Sequence, residues 1–123
     1  MFFIEFVVSN TTGIGNRGEA LAADFLRSKG FEILARNYRY GRAEIDLIVR
    51  KENWLLFVEV KTRSAVDFGE PEDFVDQKKM NRIIDAAEQY IFATDWLGHI
   101  RFDIVSVKLG WETEILHLED AMN

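Results

Sequence analysis

Two runs of alternating apolar residues, Glu44 to Val49 and Trp54 to Lys61, are joined through Lys51-Glu52-Asn53-Trp54. Period-two alternation makes each run a strand, and so short a connection joins them as an antiparallel hairpin. The hairpin constrains everything around it. Ile45, Leu47, Val49, Leu56, Val58 and Val60 fall on one face, which needs a covering layer. Asp46, Glu59 and Lys61 share the other face with Ile48 and Phe57, so that side is expected to be a cleft or a covered surface. If Glu52-Asn53 is a two-residue turn, Asp46 lies directly opposite Glu59; a four-residue loop over Lys51 to Trp54 keeps that register, and a bulge shifts it.

Like charges directly opposite each other destabilise a sheet. Two carboxylates about 5 Å apart suit a hard divalent cation, which takes oxygen ligands and keeps several waters. Lys61, two residues beyond Glu59, emerges on the same face and could orient or deprotonate a water, or steady a phosphate. A plainer pairing sets Glu44 against Lys61 as a cross-strand salt bridge. It accounts for Lys61 and leaves the facing acids unexplained.

Along the rest of the chain, Phe2 to Val8 reads as a strand of uncertain partner, followed by a polar loop at Ser9 to Thr12. Asn16 to Lys29 has a helical stripe of Leu21, Ala22, Phe25 and Leu26, closed by Gly30 as a C-cap. Glu19 falls in the first turn of that helix, where the macrodipole favours an acid, and its neighbours Ala22, Ala23 and Leu26 lean it toward the sheet. Phe31 to Asn37 reads as a strand and Asn37 to Arg42 as a turn or exposed strand end. After the hairpin, Ser64 to Asp73 holds the only proline and reads as a loop. A long helix follows from Asp76 to Thr94, with Met80, Ile83, Ile84, Ala87, Tyr90 and Ile91 as its stripe. Ile100 to Leu109 and Glu114 to Leu118 close the chain as a strand pair around Gly110-Trp111. Helix, three strands, helix, two strands implies an α/β core with a mixed sheet.

In the second helix Asp76 is the expected N-cap, yet Lys78, Lys79 and Arg82 crowd the first turns, where the macrodipole disfavours cations. A solvated basic face is one reading; a bound phosphate, which would satisfy both the helix N-terminus and the bases, is the other. Tyr38 and Tyr40, with Arg39 and Arg63, could flank the same groove or simply pack an edge strand.

The formal net charge of −6 argues against indiscriminate binding to nucleic acid, but the charge is uneven. Between Arg36 and Arg82 lie ten basic and nine acidic residues, against five and twelve elsewhere, so a local basic groove remains open. The absence of cysteine excludes disulfides and thiolate zinc sites, and His99 and His117 lack ligand spacing. The run Phe2 to Val8 is too short to span a bilayer, is interrupted by Glu5 and lacks a basic leader, so a cytoplasmic protein without membrane attachment is expected. The same run would serve equally as a homodimer edge or an added internal strand.

Gly13-Ile14-Gly15-Asn16-Arg17-Gly18 matches a dinucleotide-binding G-x-G-x-x-G. The context opposes it. Ser9 to Thr12 separate strand from glycines, Glu19 puts an acid where pyrophosphate would dock, and Asn37 to Arg39 stand where a ribose-binding acid belongs.

Asp46 followed by Glu59-x-Lys61 on a hairpin, after a helix bearing Glu19, resembles the PD-(D/E)-x-K motif of restriction-endonuclease-like and Holliday-junction-resolvase-like nucleases. The chain more closely resembles the YraN-like family of uncharacterised bacterial proteins, for which that fold is expected. The matching stretches are Gly15 to Ala20, Asn37 to Arg39, Glu44 to Ile48, Phe57 to Arg63, Lys78 with Arg82, and Arg101 to Asp103. Coverage runs from about Gly15 to Val107, within one nuclease-like domain over residues 1–123. The resemblance implies a restriction-endonuclease-like mixed sheet flanked by helices. It implies Asp46 and Glu59 as ligands of Mg²⁺ or Mn²⁺, Lys61 near the scissile phosphate, and Glu19 completing the site. Nucleic acid, DNA above all, is the expected partner, with Arg39, Arg63, Lys78 and Arg82 on phosphates. The rival expectation is a non-catalytic nucleic-acid-binding or interaction module that keeps the fold. One departure is Ala43, where the family usually has glycine, so a different turn is expected at Arg42-Ala43.

Overall fold

The computed structural model describes residues 14–64 and 76–122. The expected strand at Phe2 to Val8, and the proline-bearing loop beyond Ser64, lie outside the described residues. Helix α1 spans Ile14–Ser28. Strands β1, β2 and β3 span Glu32–Tyr40, Ala43–Lys51 and Trp54–Ser64. Helix α2 spans Gln77–Thr94, and β4 and β5 span His99–Leu109 and Glu114–Leu118.

Among the described residues the strands form one sheet in the order β1-β2-β3-β4-β5. Neighbours run antiparallel except β3 and β4, which are parallel. A parallel pair needs a crossover, and α2 lies within it. The two helices cover opposite faces. Leu21, Ala22, Phe25 and Leu26 of α1 pack on Leu47, Val49, Leu56, Val58, Val60, Val105 and Val107. On the other side Ile83, Ala86 and Ala87 of α2 pack on Ile45, Ile48, Leu55, Phe57 and Ile104. Buried on both faces from Leu55 to Val60, β3 is the centre of the molecule. The fold is α/β, a mixed sheet between helices, consistent with a restriction-endonuclease-like core.

Two glycines set α1 in place. Gly30, at φ 95°, ends the helix while Phe31 N–H donates to the Leu26 carbonyl at 3.0 Å, the C-cap expected from the sequence. At the other end, a Cβ on Gly18 would sit 1.7 Å from Thr62 Oγ1, so the helix crosses β3 at a distance only glycine permits. Gly18 therefore serves helix–sheet packing, and α1 leads into an antiparallel hairpin, not a dinucleotide-binding parallel unit.

The hairpin register is the one expected: Lys51 pairs with Trp54 across Glu52-Asn53, with Glu52 left-handed at φ 55°. The pairing runs only as far as Leu47 with Val58. There the alternation breaks. Leu47 and Val49 face α1, but Ile45 packs with Ile48 on the α2 side, where strict alternation had placed it with Leu47. The change of face falls at Asp46. Opposite, between the pairs Arg36–Leu47 and Tyr38–Ile45, Asn37 is left-handed at φ 51°. Both strands thus kink together, and β1 continues through Asn37 to Tyr40 as a largely exposed strand end, one of the two outcomes expected there. The turn itself is Gly41-Arg42, with Gly41 at φ 61°, and Ala43 is already buried in β2.

Candidate active site

Where β2 parts from β3, the Val60 N–H donates to Asp46 Oδ2 at 2.8 Å. The carboxylate replaces a ladder partner and is held at the strand fork. Asp46 and Glu59 also share a hydrogen bond. Burial, that bond and the charge of Glu59 push the Asp46 carboxyl up to about 8, against the pull of the Val60 N–H. Burial tends to raise Glu59 as well, but its bonds to Asp46 and Lys79 and the charges of Lys79 and Lys61 outweigh burial and hold it below the ordinary carboxylate range. Neighbouring carboxylates resist ionising together, and here the shift is upward on Asp46 and downward on Glu59.

Glu59 is only 4% exposed and meets two ammonium groups: Lys61 Nζ at 3.3 Å from Oε2, and Lys79 Nζ on the same oxygen. Burial and the neighbouring Lys79 push Lys61 below the usual lysine range, with Glu59 opposing. Lys79 is raised instead, its bonds to Glu59 and Lys61 outweighing burial.

These groups line a cleft of about 530 Å³ between the N-terminal parts of both helices. Its walls carry Glu19, Glu44, Asp76, Arg42, Lys78 and Arg82. Of the residues singled out in the sequence, Asp46, Glu59, Lys61, Glu19, Lys78 and Arg82 come together here. Arg39 and Arg63 do not line the cleft. Arg39 is exposed and pairs with Glu44 at 3.0 Å, which replaces the anticipated Glu44–Lys61 bridge. Arg63 lies two residues beyond Lys61 on β3. Because α1 begins at Ile14, Glu19 is in the second turn, too deep for the macrodipole to explain it. Burial and repulsion from Glu44 raise its carboxyl, while a hydrogen bond from Asn37 lowers it.

Sequence reasoning gave no site role to Arg42 or Asn37, and weighed Lys79 only as one of the helix bases that a phosphate would satisfy, not as a partner of Glu59. Lys79 carried a signal: four residues before buried Ile83, it shares the helix face turned to the sheet. The N-cap was legible, and Asp76 Oδ1 accepts from the Lys79 N–H at 2.8 Å. Tyr38 proves to be packing, edge-on to Tyr90 at 5.3 Å between ring centres.

The donor set fits a divalent cation of the Mg²⁺ class. Asp46 and Glu59 supply two neighbouring carboxyl groups, with the backbone of Val60 beside them. Among the described residues no group of three or more acidic or histidine side chains forms a cage. Such an ion would complete its shell with water and phosphate oxygens, as Mg²⁺ commonly does. No helix of the described residues is long and apolar enough to cross a membrane.

Residues 18–107 match the model of uncharacterised protein family UPF0102. A UPF0102 protein of Flavobacterium psychrophilum is 47% identical over 109 residues, covering 88% of this chain and 92% of that protein. One from Solibacter usitatus is 49% identical over 111 residues, 87% of this chain and 83% of its own length. A third, from Dictyoglomus turgidum, is 45% identical over 115 residues, covering 93% and 98% of the two chains. The chain belongs to the UPF0102 family.

Proposed function

We propose that this protein binds nucleic acid and hydrolyses phosphodiester bonds with the help of Mg²⁺ or Mn²⁺. The observation that carries the reading is the placing of Asp46, at the strand fork, and Glu59 in one cleft with Lys61 against Glu59 and Arg42, Lys78 and Arg82 on its walls. Asp46 and Glu59 would hold the cation, with the Val60 carbonyl as a further ligand and Glu19 acting through water. The bound ion would polarise the phosphate and neutralise charge developing on it. Lys61, shifted toward the neutral amine, accepts a proton from the attacking water or orients it. The water oxygen bonds to phosphorus, the bond to the leaving sugar oxygen breaks, and that oxygen takes up a proton. Lys78 and Arg82, beside the α2 N-terminus, hold flanking phosphates, where helix dipole and side chains act together. Arg39 and Arg63 extend the phosphate contacts beyond the cleft.

A second reading has its own support. Glu59 already satisfies two lysines, so the same fold could serve as a non-catalytic nucleic-acid-binding module. The two separate in one experiment: wild type, Glu59→Ala and Lys61→Ala on branched, duplex and single-stranded DNA, with Mg²⁺ or Mn²⁺. The nuclease reading predicts metal-dependent cleavage by wild type, a loss of at least about 10²-fold in each variant, and retained binding. Binding by all three without cleavage by any would establish the module instead.

A further inference from the structure

Lys79 departs from its neighbours on α2. Lys78 and Arg82 are exposed, whereas Lys79 runs from the helix onto the sheet and places its ammonium on Glu59 Oε2, a carboxylate nearly closed to solvent. Its backbone is fixed by the Asp76 cap, and Ile83, one helical turn further on, is seated in the core. Lys61 approaches the same oxygen from the strand at 3.3 Å. Two ammonium groups therefore stand where a divalent cation between Asp46 and Glu59 would draw on the same carboxylate.

We propose that Lys79 is a displaceable counter-cation: it neutralises Glu59 in the metal-free protein, competes with the divalent cation for that carboxylate, and on release turns to substrate phosphate. The inference rests on the metal site proposed above. Both lysines have the same four-carbon stem and border the cleft, but Lys61 shares a strand with Glu59 two residues away, whereas Lys79 reaches it from a separate helix and can turn back along the cleft. Its nearest alternative partners would be phosphate oxygens held by Lys78 and Arg82. Metal and nucleic acid would then favour each other's binding, since each occupies a group the other has freed. Lys79 acts here as a positioning residue, setting when the acids become available.

The test is calorimetric titration of Mn²⁺ into wild type, Lys79→Met, Lys78→Met and Glu59→Gln, with and without a short DNA duplex in Ca²⁺-free buffer. Lys78→Met removes an equal charge from the same helical turn without touching Glu59. Lys79→Met should bind Mn²⁺ roughly tenfold tighter than wild type. Lys78→Met should change affinity by less than about threefold. DNA should tighten Mn²⁺ binding to wild type but not to Lys79→Met. Equal affinities for wild type and Lys79→Met overturn the inference and leave the metal site standing, as does equal tightening in Lys78→Met. Absence of binding to both wild type and Lys79→Met, or binding indifferent to Glu59→Gln, removes the metal site itself. Thermal melts establish that each variant is folded, and Lys79→Gln replaces Lys79→Met if the latter is not.

Discussion

Glu59 is a carboxylate almost without water, and its partners decide what it can do. An acid in such a place is retained at a cost unless something cationic meets it. Lys61 and Lys79 meet that need, and the Asp46 carboxyl beside them is pushed up to about 8, chiefly by burial. Asp103, in β4, shows the contrasting arrangement. Fully buried, it accepts from Arg101 Nε at 2.9 Å, from the Asp120 N–H at 2.9 Å, and lies 2.7 Å from His117 Nε2. Burial pushes its carboxyl up, but the bonds from His117, Arg101 and Asp120 win and its pKa is lowered. Its stabilising contribution is therefore present above the ordinary aspartate value of about 4 and is lost as pH falls through the lowered folded value. Asp103→Asn should cost about 2–3 kcal/mol in urea unfolding at neutral pH. That difference should shrink toward zero in acid; a deficit that stays constant with pH would contradict the assignment. Asp103 and its partners hold the molecule together, whereas the acids of the cleft are held ready.

At the scale of elements, both helices are placed by single residues at their N-terminal ends. For α2 it is the Asp76 cap, and for α1 it is the missing side chain of Gly18 over Thr62. Thr62 is β-branched and stiff, so a side chain at position 18 must push α1 off β3 and carry Glu19 with it. Gly18→Ala should cost about 1–3 kcal/mol in chemical denaturation, and Gly18→Val more. An unchanged midpoint for both would show that the crossing of α1 over β3 tolerates a side chain at position 18. The helices, the hairpin register and the Asp76 cap were legible because each follows from local periodicity or from a turn two residues long. The kink at Asp46 was not, since Ile45 alternates correctly and only its packing against α2 reveals the change of face. Lys79 was hidden for a related reason. Its helix position was legible, but its reach to Glu59 depends on how α2 crosses the sheet.

For the whole molecule, the formal net charge is −6, yet Arg42, Lys78, Lys79 and Arg82 gather at one cleft. The same cleft also carries Glu19, Glu44, Asp46, Glu59 and Asp76, so its charge is near balance, and under the proposed function nucleic acid would enter only where those bases, aided by a bound cation, meet its phosphates. Binding measured by fluorescence anisotropy over a range of salt should follow a log–log slope of about −3 on duplex DNA, as expected for three to four neutralised phosphates. A slope near zero would remove phosphate contacts from the account. The arrangement by which two strands and two helix N-terminal regions converge on one point has a single chemical purpose in this account: to offer Asp46 and Glu59 jointly to a divalent cation. Crystals grown with Mn²⁺ test that most directly, through anomalous scattering at the manganese edge. A peak beside both Asp46 and Glu59, absent from Glu59→Gln crystals, is expected; a peak elsewhere, or none with the cleft open to solvent in the lattice, would contradict the metal site.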